Sequence, residues 1–349
     1  MMDTKSSRER HVNIPVFIPH LGCPNDCVFC NQRSISGKTN FDAYKVKDEI
    51  SAVLSTLSDI SPCNIEIAFF GGSFTGIDRE LMLYLLDTAQ SFIDEKKAGW
   101  IRMSTRPDYI SREILDILSC YSVKTIELGI QSMSDEVLKC SRRGHTSKQT
   151  EEACRLILDY GFELVGQMMI GLPGSTEEAE LETARLICDM GAKGARIYPT
   201  MVLFDTELCE MTKNRLYRPL SLDEAIDRSA SVLKIFVERD VRVIRIGLHS
   251  DESLTSDGGI FAGGYHPAMG ELCESELYYR LICERLEKLN KTDNPTEISL
   301  RIPKGHLSKV IGNKKRNKER LAKEFNIKKI TAIEDSTLPP FTVAVGHEK

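Results

Sequence analysis

No stretch of this 349-residue chain approaches the roughly 20 consecutive apolar residues that a membrane-crossing helix needs, so no membrane association is expected. The opening segment, Met1 to His11, is polar and lacks the apolar run of an export signal, which makes the cytoplasm the expected compartment. The eleven cysteines are odd in number and spread through a long chain with 41% apolar content, unlike the disulfide framework of a short secreted domain. Only one dense cysteine cluster exists. Neither a second CxxC nor an HxxxH pair accompanies it, which disfavours a structural zinc site built from two ligand pairs. Length and apolar content leave room for one large domain or two, with ample core.

The cluster is Cys23, Cys27 and Cys30, a CxxxCxxC directly after the apolar run at residues 12–18. Three thiolates can hold three irons of a cubane [4Fe–4S] cluster and leave the fourth iron open to a substrate or cofactor. The other eight, Cys63, Cys120, Cys140, Cys154, Cys188, Cys209, Cys273 and Cys283, stand singly in apolar or helical stretches and read as small core residues in a reducing compartment.

Hydrophobic periodicity alternates along the chain. Strands are expected at 12–18, 64–70, 100–104, 125–130, 164–170 and 195–198, with a further one at 241–246. Amphipathic helices are expected at 43–57, 79–92, 112–119, 147–160, 176–190 and 222–238, the last capped by Ser221. Repeated βα units imply an α/β fold with a parallel sheet, open or curled into a barrel, and such sheets bind ligands at the carboxyl ends of their strands. Polar and glycine-rich phrases recur at those ends: Gly71-Gly72-Ser73-Phe74-Thr75, Ser104-Thr105-Arg106-Pro107-Asp108, Gly129-Ile130-Gln131-Ser132, and the segment from Gln167 to Gly174. The paired glycines let a ligand approach the backbone closely.

With these motifs the chain resembles the radical S-adenosylmethionine (radical SAM) superfamily over about residues 12–250. Phe70-Gly71-Gly72-Ser73-Phe74-Thr75, Ser104 to Tyr109, Glu127 to Ser132 and Arg142-Arg143-Gly144-His145-Thr146 are similar to the radical SAM part of the Elongator catalytic subunit. They are similar, more loosely, to oxygen-independent coproporphyrinogen oxidase. The resemblance implies a partial (βα)6, TIM-like barrel and two cofactors, a [4Fe–4S] cluster and SAM. It implies that Cys23, Cys27 and Cys30 ligate the cluster, and that Gly71, Gly72 and Ser73 contact the methionyl amino group. It further implies Ser104, Gln131 and Gln167 near the ribose and sulfonium, and Arg143 on the carboxylate, a task suited to a guanidinium fork. An electron from a reductase, flavodoxin or ferredoxin would drive reductive cleavage of SAM to a 5′-deoxyadenosyl radical. His145, Tyr198, Tyr265 and His266 are candidates to touch substrate at the barrel mouth. No catalytic acid, base or nucleophile is singled out.

The C-terminal region changes character. Residues 301–330 hold eleven Lys or Arg against two Glu, a local charge of +9 in a chain whose net charge is −5. Such segregation points to a module for a polyanion on an acidic body. A strand at 297–302, a short helix at 307–311, a loop at 312–315, a helix at 317–325 and a strand at 329–333 resemble a small KH RNA-binding domain, whose GxxG loop clamps a nucleic-acid backbone. Lys315 stands where the second glycine belongs; Lys309, Gly312, Lys314, Lys315 and Arg316 are the candidate RNA contacts. The expected division is a radical SAM core at 1–250, an extension and linker at 251–295, and a basic KH-like unit at 296–349. The combined expectation is an enzyme that modifies an RNA base, most naturally in tRNA. The acetyltransferase domain that follows in Elongator has no counterpart within the 349 residues. Two alternatives stay open: radical chemistry on a small molecule or peptide, and a noncatalytic RNA-binding protein with a structural metal centre.

Overall fold

The computed structural model describes residues 11–18, 21–23, 27–31, 41–57, 60–248, 259–290 and 295–346. Seven strands form one parallel sheet in the order β1 (Val12–Ile18), β2 (Ile65–Gly71), β3 (Trp100–Thr105), β4 (Val123–Gln131), β5 (Glu163–Ile170), β6 (Gly194–Pro199) and β8 (Arg242–Ile246). Every pairing within it is parallel. The result is a curled half-barrel, with the strand at 242–246 adding a seventh to the six of the expected barrel.

Alternation along the strands decides which face meets the helices. Ile65, Ile67 and Phe69, then Ile101 and Met103, then Ile126, Leu128 and Ile130, and onward through Leu164, Met168, Ala195 and Ile197 form one buried core. Helices α1 (Val46–Leu54), α2 (Arg79–Asp94), α3 (Arg112–Leu118), α5 (Ser147–Asp159), α6 (Glu177–Asp189) and α8 (Leu222–Glu238) supply the outer half of it, while α4 (Asp135–Cys140) joins β4 to α5. The intervening strand positions, Glu66, Arg102, Glu127, Gln167 and Arg196, turn to the concave face and pair with one another. The helix expected from residue 43 is split: Ala43–Lys45 is a single 3-10 turn whose Asp42 accepts from the Tyr44 N–H, and α1 starts at Val46. Ser221 and Thr146 both cap their helices as reciprocal capping boxes.

Beyond β6, the short strands β7 (Val202–Leu203) and β9 (Ile260–Ala262) pair antiparallel, with α7 (Glu207–Lys213) between them in sequence. The long helix α9 (Met269–Asn290) follows. Its Met269, Cys273 and Leu277 enter the barrel core, whereas Tyr278, Tyr279, Ile282 and Leu286 enter a second core with Ile298, Leu300, Ile302, Val310, Leu321, Ile327 and Ile330. The C-terminal unit therefore packs on a helix within the stretch expected to be extension and linker; residues 291–294 of that linker lie outside the described residues. Its order is β10 (Glu297–Pro303), α10 (Leu307–Ile311), α11 (Arg316–Glu324), β11 (Lys329–Asp335) and β12 (Ala344–Gly346), with β10 parallel to β11 and antiparallel to β12. No described helix is long and apolar enough to cross a membrane. Ile282 is fully buried in the second core. Ile282→Ala is therefore expected to destabilise the protein by about 2–5 kcal/mol, read as a lower denaturant midpoint and faster proteolysis than in the wild type.

Candidate functional site

The carboxyl ends of β1 and β2 interlock. Gly72 N–H donates to Ile18 O at 2.8 Å and Ser73 N–H to Leu21 O at 3.1 Å, so the Gly-Gly turn grips the chain entering the cysteine loop. Gly71 sits at φ +111, open to glycine alone, and a Cβ on Gly72 would stand 2.0 Å from Leu21 O. Cys27 is buried and Cys23 and Cys30 are half-buried at this strand end; Pro24, Asn25 and Asp26 between them lie outside the described residues. The loop is bedded on its own small core of Val28, Val202, Leu208 and Cys209, with Val28 N–H donating to Ser141 O at 3.2 Å and Asn31 Nδ2 to Phe204 O at 3.0 Å.

Behind the thiols stands a buried relay of two arginines. Arg106 forks onto Asp108 with two 2.9 Å bonds and donates a third, at 2.6 Å, to Arg143 O. Arg143 in turn donates from Nη2 to Gly129 O at 2.8 Å and from Nη1 to Cys27 Sγ at 3.5 Å. Gly129 makes room for it: a Cβ there would lie 2.6 Å from Arg143 Nη2. The terminal nitrogens expected to fork onto a carboxylate are thus turned to Cys27 and Gly129, leaving Arg143 Nε and Arg106 Nη1 as buried donors without a partner. Burial pushes the Cys23 thiol up, and the charges of Arg143 and Arg106 pull against that shift.

Acceptors face the same space. Gln131 closes β4 at φ +66, and its Oε1 has no partner. His145 Nε2 lies 3.3 Å from Ile130 O, which makes Nε2 the protonated nitrogen and leaves Nδ1 as a buried acceptor. Burial and the neighbouring Arg143 lower the His145 pKa to about 4, so the ring is neutral at pH 7. Ser73 Oγ lies 2.8 Å from Thr105 Oγ1 and accepts from Arg106 N–H at 3.2 Å. Deeper on the concave face, Gln167 Nε2 donates to Glu127 Oε2 at 2.8 Å and to Ser104 Oγ at 3.4 Å. Burial pushes the Glu127 carboxyl up, yet Arg196 and Arg102 outweigh it and hold the group ionised. Arg196 Nε makes ion-pair contact with it at 2.7 Å. Tyr198, above Arg196 on β6, is raised by burial.

The structure thus gathers Cys23, Cys27, Cys30, Gly71, Gly72, Ser73, Gln131, Arg143 and His145 at one end of the sheet, with Ser104, Gln167 and Tyr198 on its concave face. Tyr265 places a buried, unpartnered hydroxyl beyond Gly263, which packs on Thr200 and Met201. His266 precedes α9, its Nδ1 accepting from Ala268 N–H at 3.0 Å. Arg106, Asp108, Glu127 and Arg196 complete the site without having been singled out from sequence. A charged residue set between apolar neighbours within each of β4 and β6 was the available signal for Glu127 and Arg196.

In the C-terminal unit, Lys309 pairs with Glu274 and Arg316 with Asp223, both across to the barrel side, as does Arg320 with Glu276. Lys314 and Lys315 hold consecutive left-handed conformations at φ +49 and +66, after Gly312 at φ +81. A cavity of about 540 Å³ lies between this loop and the first turns of α9.

The donor set suits a cubane with one open iron. Among the described residues no three of His, Cys, Asp and Glu are grouped as a single metal ion requires, whereas a cubane takes its thiolates one per iron. Beside the thiols, Arg143 and Arg106 keep buried donors, and Gln131 and His145 buried acceptors, without a protein partner. Gly72→Ala is expected to open the strand-end turn and lower iron incorporation during reconstitution, measured as iron per chain. Because the folded-state pKa of His145 lies near 4 and the unfolded value near 6.5, its neutral form stabilises the protein above pH 6.5. That contribution, on the order of 3 kcal/mol, is lost as pH falls from 6.5 to 4. Unfolding curves of His145→Gln should lack this part of the pH dependence.

A family model described as the Radical SAM superfamily matches residues 17–187, and one described as the radical SAM C-terminal domain matches 192–279. The chain is 29% identical to a tRNA uridine(34) acetyltransferase of Methanocaldococcus jannaschii, over 63% of this chain and 44% of that protein. It is also 29% identical to Elongator complex protein 3 of Saccharomyces cerevisiae, over 49% of this chain and 34% of that one. It therefore spans less than half the length of either relative. The archaeal Methanocaldococcus infernus Elp3 with an N-terminal deletion superposes with a TM-score of 0.61 at 26% identity, covering 77% of this chain and 62% of that one.

Proposed function

Since the chain belongs to the radical SAM superfamily, an enzyme class that works with a [4Fe–4S] cluster and SAM, we propose that it modifies a base of tRNA. The observation that carries this reading is the pairing of a barrel similar to tRNA-modifying enzymes with a C-terminal unit whose residues 301–330 bear a charge of +9. When bound, the cluster and SAM supply a 5′-deoxyadenosyl radical on receipt of one electron from a reductase, flavodoxin or ferredoxin.

The chain's own residues do the rest. Cys23, Cys27 and Cys30 hold the cluster. The turn at Gly71, Gly72 and Ser73 offers backbone to the methionyl amino group. Arg143 Nε and the donors left on its fork meet the carboxylate, a guanidinium having five N–H groups. Gln131, Ser104 and Gln167 face the ribose and sulfonium. Gln167 spends its amide hydrogens on Glu127 and Ser104, which turns its carbonyl away from them. Neutral His145, Tyr198 and Tyr265 border the space for the substrate, and water is kept out by the burial of Arg106, Arg143 and His145.

The C-terminal unit is read as KH-like and as the tRNA anchor, in a cytoplasmic setting. Of its candidate contacts, Lys309 and Arg316 are spent partly on Glu274 and Asp223, so Lys314 and Lys315 carry the phosphate contacts. The test is 5′-deoxyadenosine release by anaerobically reconstituted protein with SAM and dithionite, with and without bulk tRNA, and with Cys27→Ala as the control. Release that depends on Cys27 and rises with tRNA is expected. Release that ignores tRNA moves the substrate to a small molecule or peptide. Lys314→Ala with Lys315→Ala is expected to lower the slope of log affinity against log salt for tRNA by about 1.5–2.

A further inference from the structure

Resting on the cluster assignment above, we infer that Arg143 is a positioning residue for electron uptake: its guanidinium donates to the Cys27 sulfur and raises the reduction potential of the cluster. Four observations converge on this. Arg143 Nη1 already lies 3.5 Å from Cys27 Sγ. The guanidinium is held there, since Nη2 donates to Gly129 O at 2.8 Å through the gap that a glycine leaves. The backbone is held as well, with Arg143 N–H on Leu138 O at 2.9 Å and Arg143 O clamped by Arg106 at 2.6 Å. Finally, the two buried cations are not equivalent. Arg106 is neutralised by Asp108, while no carboxylate among the described residues lies within ion-pairing distance of Arg143.

Until the cosubstrate carboxylate arrives, a buried cation without an ion pair is costly unless another anion faces it. Three thiolates on a cubane provide that anion, and each electron added makes it more negative. A positive charge and a hydrogen bond at one sulfur therefore favour the reduced state, and sulfur hydrogen bonding and local charge are among the protein's principal levers on such potentials. Asp108 acts one step further out, because it fixes Arg106, and Arg106 fixes the carbonyl of Arg143.

The experiment compares wild type, Arg143→Gln and Arg143→Lys as full-length chains reconstituted to equal iron and sulfide content. Midpoint potentials are read by EPR during titration with low-potential dyes, and SAM dissociation constants are measured separately on the same samples. Arg143→Gln is expected to weaken reduction at least tenfold, about 59 mV for a one-electron couple, with Arg143→Lys falling between. The potential is the deciding readout, since a merely structural role would change cluster yield and leave it in place. An unchanged potential with only weaker SAM binding overturns the inference and leaves Arg143 to the cosubstrate carboxylate. Should Arg143→Gln fail to take up a cluster, Arg143→Lys decides by the same shift. A wild-type chain that takes up no cluster defeats the cofactor assignment itself, and this inference with it.

Discussion

One buried carboxylate, Glu127, holds the concave face of the half-barrel together. It sits on β4 and receives Arg102 from β3, Gln167 from β5 and Arg196 from β6, so four adjacent strands are tied side chain to side chain as well as through the sheet. Glu66 on β2 extends the chain through its 2.7 Å bond from Arg102 Nε. Charges this deep are tolerable because each carboxylate meets guanidinium groups that share its burial. The arrangement leaves the upper part of the concave face to Ser104, Gln167 and Tyr198, whose orientations follow from it.

A different logic governs the rim. Strand ends carry backbone groups that no neighbour satisfies, and here they are bound to one another across loops: Gly72 and Ser73 to β1 and its successor, Val28 to Ser141, Leu208 to Val28. The cysteine loop is thereby fastened from two sides of the mouth. Asp108, Arg106 and Arg143 form a hydrogen-bonded back wall behind Cys27.

Much of this was legible in the amino-acid sequence because βα units advertise themselves by period. The strands at 12–18, 64–70 and 164–170, the Ser221 cap and the βααβ order of the C-terminal unit all follow from local pattern. What escaped was set by tertiary contact. Gln131 belongs to β4 only through a register irregularity at its end, and it adopts φ +66, which no periodicity encodes. His266, a candidate for the mouth, has a local task that no periodicity shows, its Nδ1 accepting from Ala268 N–H at the start of α9. Lys309 and Arg316 are candidate RNA contacts by sequence, and the acids that pair with them stand on α9 and α8, far away in sequence. Arg143 was found by its place in a motif, whereas its partner Cys27 lies 116 positions earlier and could be identified only in three dimensions.

Helix α9 has a core on each side of it, Cys273 and Leu277 toward the barrel and Ile282 and Leu286 toward the small unit. A wall common to two rooms cannot be removed from one alone. Unfolding of either unit strips apolar cover from this helix, so the two should lose structure together as a single cooperative body. The Lys314–Lys315 loop borders the first turns of that same helix, so its place relative to the barrel is set by the packing of one element.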